Sequence, residues 1–258
     1  MSKHSPLKSE IVRNEQSHFS NQRNIWRWAT TKAGLKRYDN RLELFKQYCR
    51  PEESDLILEI GCGDGEFTRR LVGLDVTLIA RDITFAELKR AAGKDEFRKA
   101  GNICFEKDDD ESLSIGDNSL DFVSGISILH HLDYRKAFKG CHRVLKEGGE
   151  IFFSKPNRLN PITLTFFSMP YLRKVIEASP NKHALLRWEV ERYLKDIGFK
   201  NARVFNNDFL FPWIPDFTIN AVEWLGRVLE KTPLIKAISG SLIIHAIKEG
   251  YHCLRTLF

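Results

Sequence analysis

The segment LILEIGCGDGEF, residues 56–67, constrains the fold of this chain more than any other stretch. Its apolar start predicts a buried β-strand, and Gly61, Gly63 and Gly65 then follow at alternate positions. Because glycine has no Cβ, a ligand can approach the backbone of such a turn below the N-terminus of the next helix. The G-x-G-x-x-G dinucleotide fingerprint would require a glycine where this chain has Glu66. The segment therefore predicts a strand, a tight ligand-binding turn and a helix.

Residues 56–155 continue to alternate short apolar strands with amphipathic segments, which is typical of a parallel sheet covered by helices on both faces. After residue 156, two further strands enclose a long helical segment, which predicts an antiparallel pair with a lid between its members. The predicted fold is thus α/β: a doubly wound, mostly parallel seven-stranded sheet with N-terminal helices and a helical lid inserted before the last strand. The predicted strands are 56–60, 76–80, 103–106, 121–127, 149–154, 201–206 and 240–247, and the predicted helices are 65–73, 85–99, 134–146, 184–197 and 218–230.

Acidic residues follow the next two strands. Asp82 ends the second strand, about 20 residues beyond the glycines, where a carboxylate can accept both ribose hydroxyls of an adenosine. The cluster KDDDESL, residues 107–113, follows the third strand, and an Asp there can accept a hydrogen bond from an adenine amine. Because parallel strands end at one edge of a sheet, these acids and the glycine turn predict a pocket for an adenosine-containing ligand.

Five segments resemble, in chain order, those of the class I S-adenosylmethionine-dependent methyltransferases, in the branch of the ubiquinone and menaquinone C-methyltransferases: LEIGCGDGEF, ARDIT, DDDESLSIGDNSLDFV, ILHHL and RVLKEGGEIFFSKPN. The resemblance covers residues 50–156 and implies the Rossmann-like methyltransferase fold, with S-adenosyl-L-methionine as the cofactor. It implies that the glycine turn lines the methionine part of the cofactor. It also implies that Asp82 accepts hydrogen bonds from the ribose hydroxyls and that Asp109 accepts one from the adenine amine. The cofactor residues that it implies are Glu59, Gly61, Cys62, Gly63, Gly65, Asp82, Ile83, Asp109, Asp110, Gly125, Ile126 and Ser127.

The methyl acceptor is expected beyond the fourth strand, where His130 and His131 are the candidates for a general base. Imidazole suits the deprotonation of a phenol or an enol near neutral pH, and His131 is slightly favoured. The alternative is that one of them caps or packs against the 134–146 helix. Neither N-P-P-Y nor D-P-P-Y follows the fourth strand, and no Pro-Cys pair is present. The sequence therefore predicts O- or C-methylation of a small-molecule or lipid-like acceptor. The apolar segments 161–172 and 208–217 would form its pocket; the alternative is that they only pack in the hydrophobic core.

Positive charge is concentrated at the start of the chain. The whole protein has a net charge of +6, and residues 1–50 hold 11 Lys and Arg against 4 acids. We expect a basic N-terminal helical arm over 1–50 and a methyltransferase domain over 51–258, with a cofactor half at 51–156 and substrate elements at 157–182 and 207–239. An RNA-directed methyltransferase that grips phosphates with this arm is the alternative function. Nucleic acid is not favoured as the partner, because no RNA- or DNA-binding motif accompanies the charge.

Other features narrow the class of protein further. No apolar run reaches the ~18 residues of a membrane-spanning helix, and the five scattered cysteines have no metal-binding spacing. These features favour a cytoplasmic protein without a metal site. The amphipathic 218–230 helix permits weak contact with a membrane surface, although its apolar residues fit internal packing better. A nicotinamide-dependent oxidoreductase and a cofactor-binding protein without turnover are less favoured alternatives, and the oligomeric state is left open.

Overall fold

The computed structural model of the protein describes residues 31–108, 113–129, 131–157, 159–169 and 187–250. Within these ranges, seven strands form one sheet with helices packed against it. The strands are β1 (Leu56–Ile60), β2 (Thr77–Asp82), β3 (Ile103–Lys107), β4 (Leu120–Ile126), β5 (Leu145–Pro156), β6 (Phe199–Asn207) and β7 (Ser241–Lys248). The helices are α1 (Lys32–Cys49), α2 (Glu66–Val72), α3 (Phe85–Ala92), α4 (Asp95–Lys99), α5 (Tyr134–Val144), α6 (Pro161–Ser168), α7 (Arg187–Asp196), α8 (Ile219–Leu229) and α9 (Pro233–Ala237).

The strand order is β3-β2-β1-β4-β5-β7-β6. β1 lies near the middle, and four of its five residues are buried, as its run of Ile and Leu predicts. It pairs in parallel with β2 on one side and with β4 on the other, so the winding of the chain reverses at this strand. Ligands of open α/β sheets bind at such a reversal, outside the carboxyl ends of the strands.

The last two strands complete the sheet in the opposite direction. β7 is antiparallel to both β5 and β6. The segment between β6 and β7 contains α8 and α9, and we call residues 208–240 the insertion. In the strand register, Asn207 lies opposite Ser241, and Ser241 lies opposite Pro156 at the end of β5. The predicted fold class is confirmed, and the insertion leaves and re-enters the sheet at the edge where the parallel strands end.

Two helices differ from their predicted bounds. The predicted helix 85–99 is two helices, α3 and α4, because the chain leaves the helical conformation after Gly93. The predicted helix 134–146 ends at Val144, and Leu145 is already extended. Gly148 and Gly149 therefore lie beyond the end of this helix and do not cap it. Gly148, with φ of 80°, lies instead in an irregular part of β5, where the pairing with β4 shifts register.

Helix α1 packs into the core of the sheet. Phe45 is fully buried and makes edge-on contacts with Phe67, Phe122 and Phe152, at centroid distances of 6.5, 5.7 and 5.5 Å. Such aromatic contacts stabilise by about 0.5–1.5 kcal/mol each beyond the area that they bury. The end of the predicted N-terminal arm therefore shares the core of the sheet, while the domain boundary at residue 50 stays a prediction.

Two buried arginines also hold α1 against the carboxyl edge of the sheet. Nε of Arg37 lies 2.7 Å from Oδ2 of Asp208, the first residue of the insertion. Arg41 donates from Nε to Oγ of Ser154 on β5 and from Nη2 to Oγ of Ser241 on β7, both at 2.9 Å. These contacts join α1, β5, β7 and the insertion in one cluster of side chains.

Candidate active site

The glycine turn lies at the carboxyl end of β1, where the sheet topology places a binding crevice. The backbone amide of Cys62 donates to the carbonyl of Arg81 on β2 at 2.8 Å, and that of Gly65 donates to the carbonyl of Cys62 at 3.0 Å. Gly65 has φ of 86° and is the N-cap of α2. The turn is thus fixed to β2 and delivers the chain into α2, whose N-terminus favours electron-rich groups.

The three glycines of the turn differ in what surrounds them. A Cβ atom at Gly61 would lie 2.5 Å from Cγ1 of Ile128, and one at Gly65 would lie 2.8 Å from Cε2 of Phe97. At Gly63, no atom of the described residues lies within 4 Å of that position. Gly61 and Gly65 are therefore needed for packing within the protein, whereas Gly63 borders the space in which a ligand can approach the main chain.

Asp82 at the end of β2 is directed at this turn. Its Oδ2 accepts a hydrogen bond from the amide of Gly63 at 2.9 Å, and its Oδ1 accepts one from the amide of Thr84 at 2.7 Å. Burial raises the pKa of Asp82, and these two backbone hydrogen bonds oppose that rise. A carboxylate offers about four lone-pair sites, so both oxygens keep capacity for the hydroxyls of a ribose.

Glu59, which lies in β1 two residues before Gly61, stabilises the glycine turn. It is buried within β1, and its Oε2 accepts a hydrogen bond of 2.6 Å from Oγ1 of Thr68 on α2. Burial raises the pKa of Glu59 to about 8, the hydrogen bond from Thr68 opposes the rise, and the nearby charge of Asp82 adds to it. The carboxyl group therefore joins the strand before the turn to the helix after it.

Comparisons with known proteins agree with this geometry. The model of a family described as "Methyltransferase domain" matches residues 58–153. Ubiquinone/menaquinone biosynthesis C-methyltransferase UbiE of Klebsiella pneumoniae subsp. pneumoniae is 25% identical over 174 residues, which are 58% of this chain and 68% of that protein. Demethylmenaquinone methyltransferase of Staphylococcus aureus is 28% identical over 165 residues, which are 57% of this chain and 68% of that protein.

This chain is a class I S-adenosylmethionine-dependent methyltransferase. Its fold is similar to that of phosphoethanolamine N-methyltransferase 2 of Haemonchus contortus, solved with phosphomonomethylethanolamine and S-adenosylhomocysteine. The TM-score is 0.60 at 16% sequence identity, and the match covers 82% of this chain and 53% of that one. The crevice of this methyltransferase suits S-adenosylmethionine, because Gly63 gives access to the backbone and the carboxylate of Asp82 lies beside it, 2.9 Å from the Gly63 amide.

Two other predicted cofactor residues lie close to this crevice. The side chain of Cys62 is buried and packs with Ala80 and Leu88, so the residue faces the crevice with its backbone only. Ile83 is half-buried and directly follows Asp82. The contact of Ile83 with the adenine stays a prediction.

The end of β4 adjoins the glycine turn. Ser127 has φ of 59°, and its amide donates to the carbonyl of Ser154 on β5 at 2.6 Å. A Cβ atom at Gly125 would lie 2.7 Å from Cγ2 of Ile128, so this glycine makes room for protein atoms. Ile128, which the sequence did not single out, fills the space between Gly61 and Gly125. Ile126 and Ser127 are half-buried, and their predicted position near the sulfonium stays a prediction.

Only one of the two candidate catalytic histidines can be placed, because His130 lies outside the described residues. His131 is half-buried, and its amide donates to the carbonyl of Ile128 at 2.8 Å. The N-cap of α5 is Asp133, whose side chain accepts from the amides of residues 135 and 136. His131 therefore does not cap this helix, and its role as a general base stays a prediction.

Arg81 holds the start of the acidic segment beside the crevice, a role that the sequence did not predict. The side chain is buried and donates to Oε2 of Glu106 at 2.6 Å and to Oδ2 of Asp108 at 2.7 Å. Asp108 immediately precedes Asp109 and Asp110, which lie outside the described residues. Arg81 thus fixes the start of the acidic segment beside the tip of β2.

Tyr38 on α1 is a further residue beside the crevice. Its ring centroid lies 5.4 Å from the guanidinium carbon of Arg70 on α2. Burial raises the pKa of Tyr38 to about 12, Arg41 opposes the rise, and the charges of Asp64 and Glu66 add to it. Arg70 also donates from Nη1 to the carbonyl of Glu66 at 2.8 Å, so α1 places an aromatic ring beside the first turn of α2.

Proposed function

We propose that this methyltransferase transfers its methyl group to a carbon or oxygen atom of a small, lipid-like acceptor, with quinone-type rings as the first candidates. The proposal is carried by the similarity to proteins named for C-methylation in ubiquinone and menaquinone biosynthesis. The arrangement of the acceptor side supports it. The end of β4 is bordered by β5, and β5 pairs in turn with β7, where the insertion joins the sheet. Leu210, Ile219 and neighbouring apolar residues of the insertion form a cluster there with Ala33 of α1.

Binding of the cofactor falls to the residues at the ends of β1 and β2. Asp82 would accept the ribose hydroxyls, and the bare backbone at Gly63 would border the methionine part. When bound, S-adenosylmethionine supplies a methyl group that is already activated on a sulfonium. The protein then has to align an acceptor atom with that methyl group, and such alignment can lower the barrier by up to roughly 7–11 kcal/mol.

A proton must leave the acceptor during either reaction. Methylation of a ring carbon of a quinol releases the proton of that carbon, and methylation of a hydroxyl oxygen releases the hydroxyl proton. We propose that His131, or its neighbour in sequence His130, takes this proton as a general base. His131→Gln should then lower kcat about 10²–10⁴-fold and leave the affinity for S-adenosylhomocysteine unchanged. A variant with unaltered kcat at all pH values would assign His131 to packing.

The RNA-directed alternative is less favoured by the structure. Four basic residues of α1 face acids of the insertion: Lys32 pairs with Asp216, Lys36 with Glu223, and Arg37 and Arg41 with Asp208. Within the described residues, these contacts compensate the charge of four basic residues that the sequence assigned to a phosphate-binding arm. An RNA-binding mode would make the activity fall steeply with salt, because phosphate contacts release counterions.

Transfer of labelled methyl groups tests the proposal. The purified protein would be incubated with methyl-labelled S-adenosylmethionine and, in parallel, with a demethylated menaquinol in detergent micelles, total RNA and a mixture of small phenols. We expect label in the organic extract of the quinol sample and none with a Gly63→Val variant. Label in RNA alone would overturn the acceptor class. Tight binding of S-adenosylhomocysteine with no transfer to any acceptor would favour a cofactor-binding protein without turnover.

A further inference from the structure

Helix α8 in the insertion is apolar on two opposite faces. Ile219, Val222 and Gly226 face the protein, and Ile219 and Val222 pack in the cluster with Ala33 and Leu210. On the other side, Ala221, Trp224, Leu225 and Val228 recur at helical spacing and are exposed. The expectation that the apolar residues of this helix serve internal packing is therefore wrong for one of its faces.

The exposed apolar area continues on both sides of α8. Phe217 before the helix is 89% exposed, Leu234 after it is 85% exposed, and Trp224 in its middle is 63% exposed. We call Phe217, Trp224, Leu225, Val228 and Leu234 the insertion surface. Single exposed apolar residues are ordinary, but five large ones within residues 217–234, three of them on one face of α8, mark a binding surface.

A second apolar segment lies beside the end of the insertion. Nδ2 of Asn157 donates to the carbonyl of Ser239 at 2.8 Å, and Nδ2 of Asn160 donates to the carbonyl of Ile238 at 2.6 Å. These hydrogen bonds hold the start of α6 against the residues that follow α9. The exposed apolar residues of that segment are Leu159, Ile162, Leu164 and Met169. Both apolar segments thus belong to the edge of the sheet where the crevice lies.

The charges of the insertion are sorted between its two sides. Glu223 faces α1, where its side chain accepts from Asn40 at 2.7 Å, and Glu230 accepts from the amide of Asp208 at 2.7 Å. Arg227 and Lys231, in contrast, are exposed next to the insertion surface. Glu223 and Glu230 are therefore turned towards the protein, and the exposed Asp216 pairs with Lys32 of α1. The bases Arg227 and Lys231 accompany the exposed apolar residues, which is the arrangement that matches anionic lipid headgroups.

We propose that the insertion surface docks this methyltransferase onto an anionic lipid bilayer. α8 has 11 residues and would lie in the plane of the interface, with Trp224 and Phe217 at the level of the headgroups. Within the residues that the structure describes, no helix has both the length and the hydropathy to cross a bilayer. The inference rests on exposure and charge alone and holds for any methyl acceptor.

Flotation with vesicles tests this docking. The full-length protein would be mixed with vesicles of phosphatidylcholine alone or with one third phosphatidylglycerol. We expect binding to the anionic vesicles, and about tenfold weaker binding of a Trp224→Gln/Leu225→Gln variant, since two apolar side chains no longer enter the interface. Arg227→Glu/Lys231→Glu should weaken binding to the anionic vesicles and leave binding to phosphatidylcholine unaltered.

A matched control is available on α7. Trp188 is 59% exposed and lies outside the insertion surface, so Trp188→Gln should bind vesicles as the unaltered protein does. The affinity for S-adenosylhomocysteine serves as the test of folding for each variant. The proposal would be overturned if the protein bound neither kind of vesicle. So would a dimer that Trp224→Gln/Leu225→Gln converts to a monomer without any vesicle binding, because the surface would then be an interface between two copies of the chain.

Discussion

The backbone amide of Gly63 donates a hydrogen bond of 2.9 Å to Oδ2 of Asp82. The carboxylate that is suited to bind the ribose therefore also fixes the one glycine of the turn that borders open space among the described residues. The two parts of the crevice, on β1 and β2, are coupled through this contact before any ligand binds. A change at either residue should consequently affect the adenosine and the methionine parts of the cofactor together.

Asp82→Ala should weaken the binding of S-adenosylhomocysteine by about 1–3 kcal/mol, because charge-assisted hydrogen bonds to the ribose and to Gly63 are lost. Titration calorimetry measures the change directly. Asp75→Asn is the matched control, since Asp75 is exposed and precedes β2 at the opposite edge of the sheet. Equal affinities of the Asp82→Ala protein and the control would place the ribose elsewhere.

Alanine substitutions at Gly63 and Gly65 should have different effects. At Gly63 the methyl group has room among the described residues, so the variant should keep its fold apart from a backbone strain of about 1–2 kcal/mol, while losing cofactor affinity. At Gly65 the methyl group would meet the ring of Phe97, which adds an overpacking cost of about 1–3 kcal/mol to the strain. Urea unfolding and calorimetry on both variants separate the two effects. A Gly63→Ala protein that binds the cofactor normally would contradict the assignment of the open space.

The stability of the protein should depend on pH through Glu59. Its pKa is raised by burial to about 8 in the folded protein, against an ordinary value of 4.5. Between these values the folded protein holds the proton and the unfolded chain releases it, so the free energy of unfolding falls as the pH rises through this window, by a few kcal/mol.

Glu59→Gln keeps an oxygen that can accept from Thr68 and removes the titration. The free energy of unfolding of this variant should therefore vary less between pH 5 and pH 8 than that of the unaltered protein, as urea unfolding at several pH values would show. Glu52→Gln, an exposed substitution, should leave the pH dependence as it is. Parallel pH profiles for all three proteins would mean that Glu59 stays ionised.

Asp208→Ala should destabilise the protein by roughly 3–5 kcal/mol, because the buried guanidinium groups of Arg37 and Arg41 lose the carboxylate that faces them. Asp216→Ala removes an exposed partner of Lys32 in the same insertion and should cost at most about 1 kcal/mol. Thermal or urea unfolding compares the two. Similar losses for both variants would mean that the buried pairs stabilise no more than the exposed one.

The sequence predicts the sheet well, because each strand of the cofactor half carries its own local signal. Strand β1 coincides with the predicted 56–60, and the acid at the end of β2 is where the pattern placed it. The three glycines of the turn, in contrast, look equivalent in the sequence. Only the packing of Ile128 and Phe97, which come from later in the chain, distinguishes Gly61 and Gly65 from Gly63.

The face of α1 that packs on the sheet was harder to predict for a physical reason. Arg37, Arg41, Phe45 and Cys49 recur every four residues and are all buried. Two charged residues in this stripe resemble a solvated face, and their burial depends on Asp208, a residue far along the chain. The charge of residues 1–50 therefore left an RNA-binding arm open as an alternative, whereas much of the positive charge on α1 is compensated within the protein.

The register at Asn207 and Ser241 has a consequence for how such enzymes diversify. Both ends of the insertion are held side by side by the β6–β7 ladder, and that ladder continues to Phe199 and Lys248 without help from the insertion. A foreign segment grafted between these two positions would leave the glycine turn and Asp82 untouched, provided that it keeps a carboxylate at position 208 for Arg37 and Arg41. If the insertion selects the acceptor, as we propose, a new acceptor preference can arise by exchange of this one segment while the residues that bind the methyl donor are inherited unaltered.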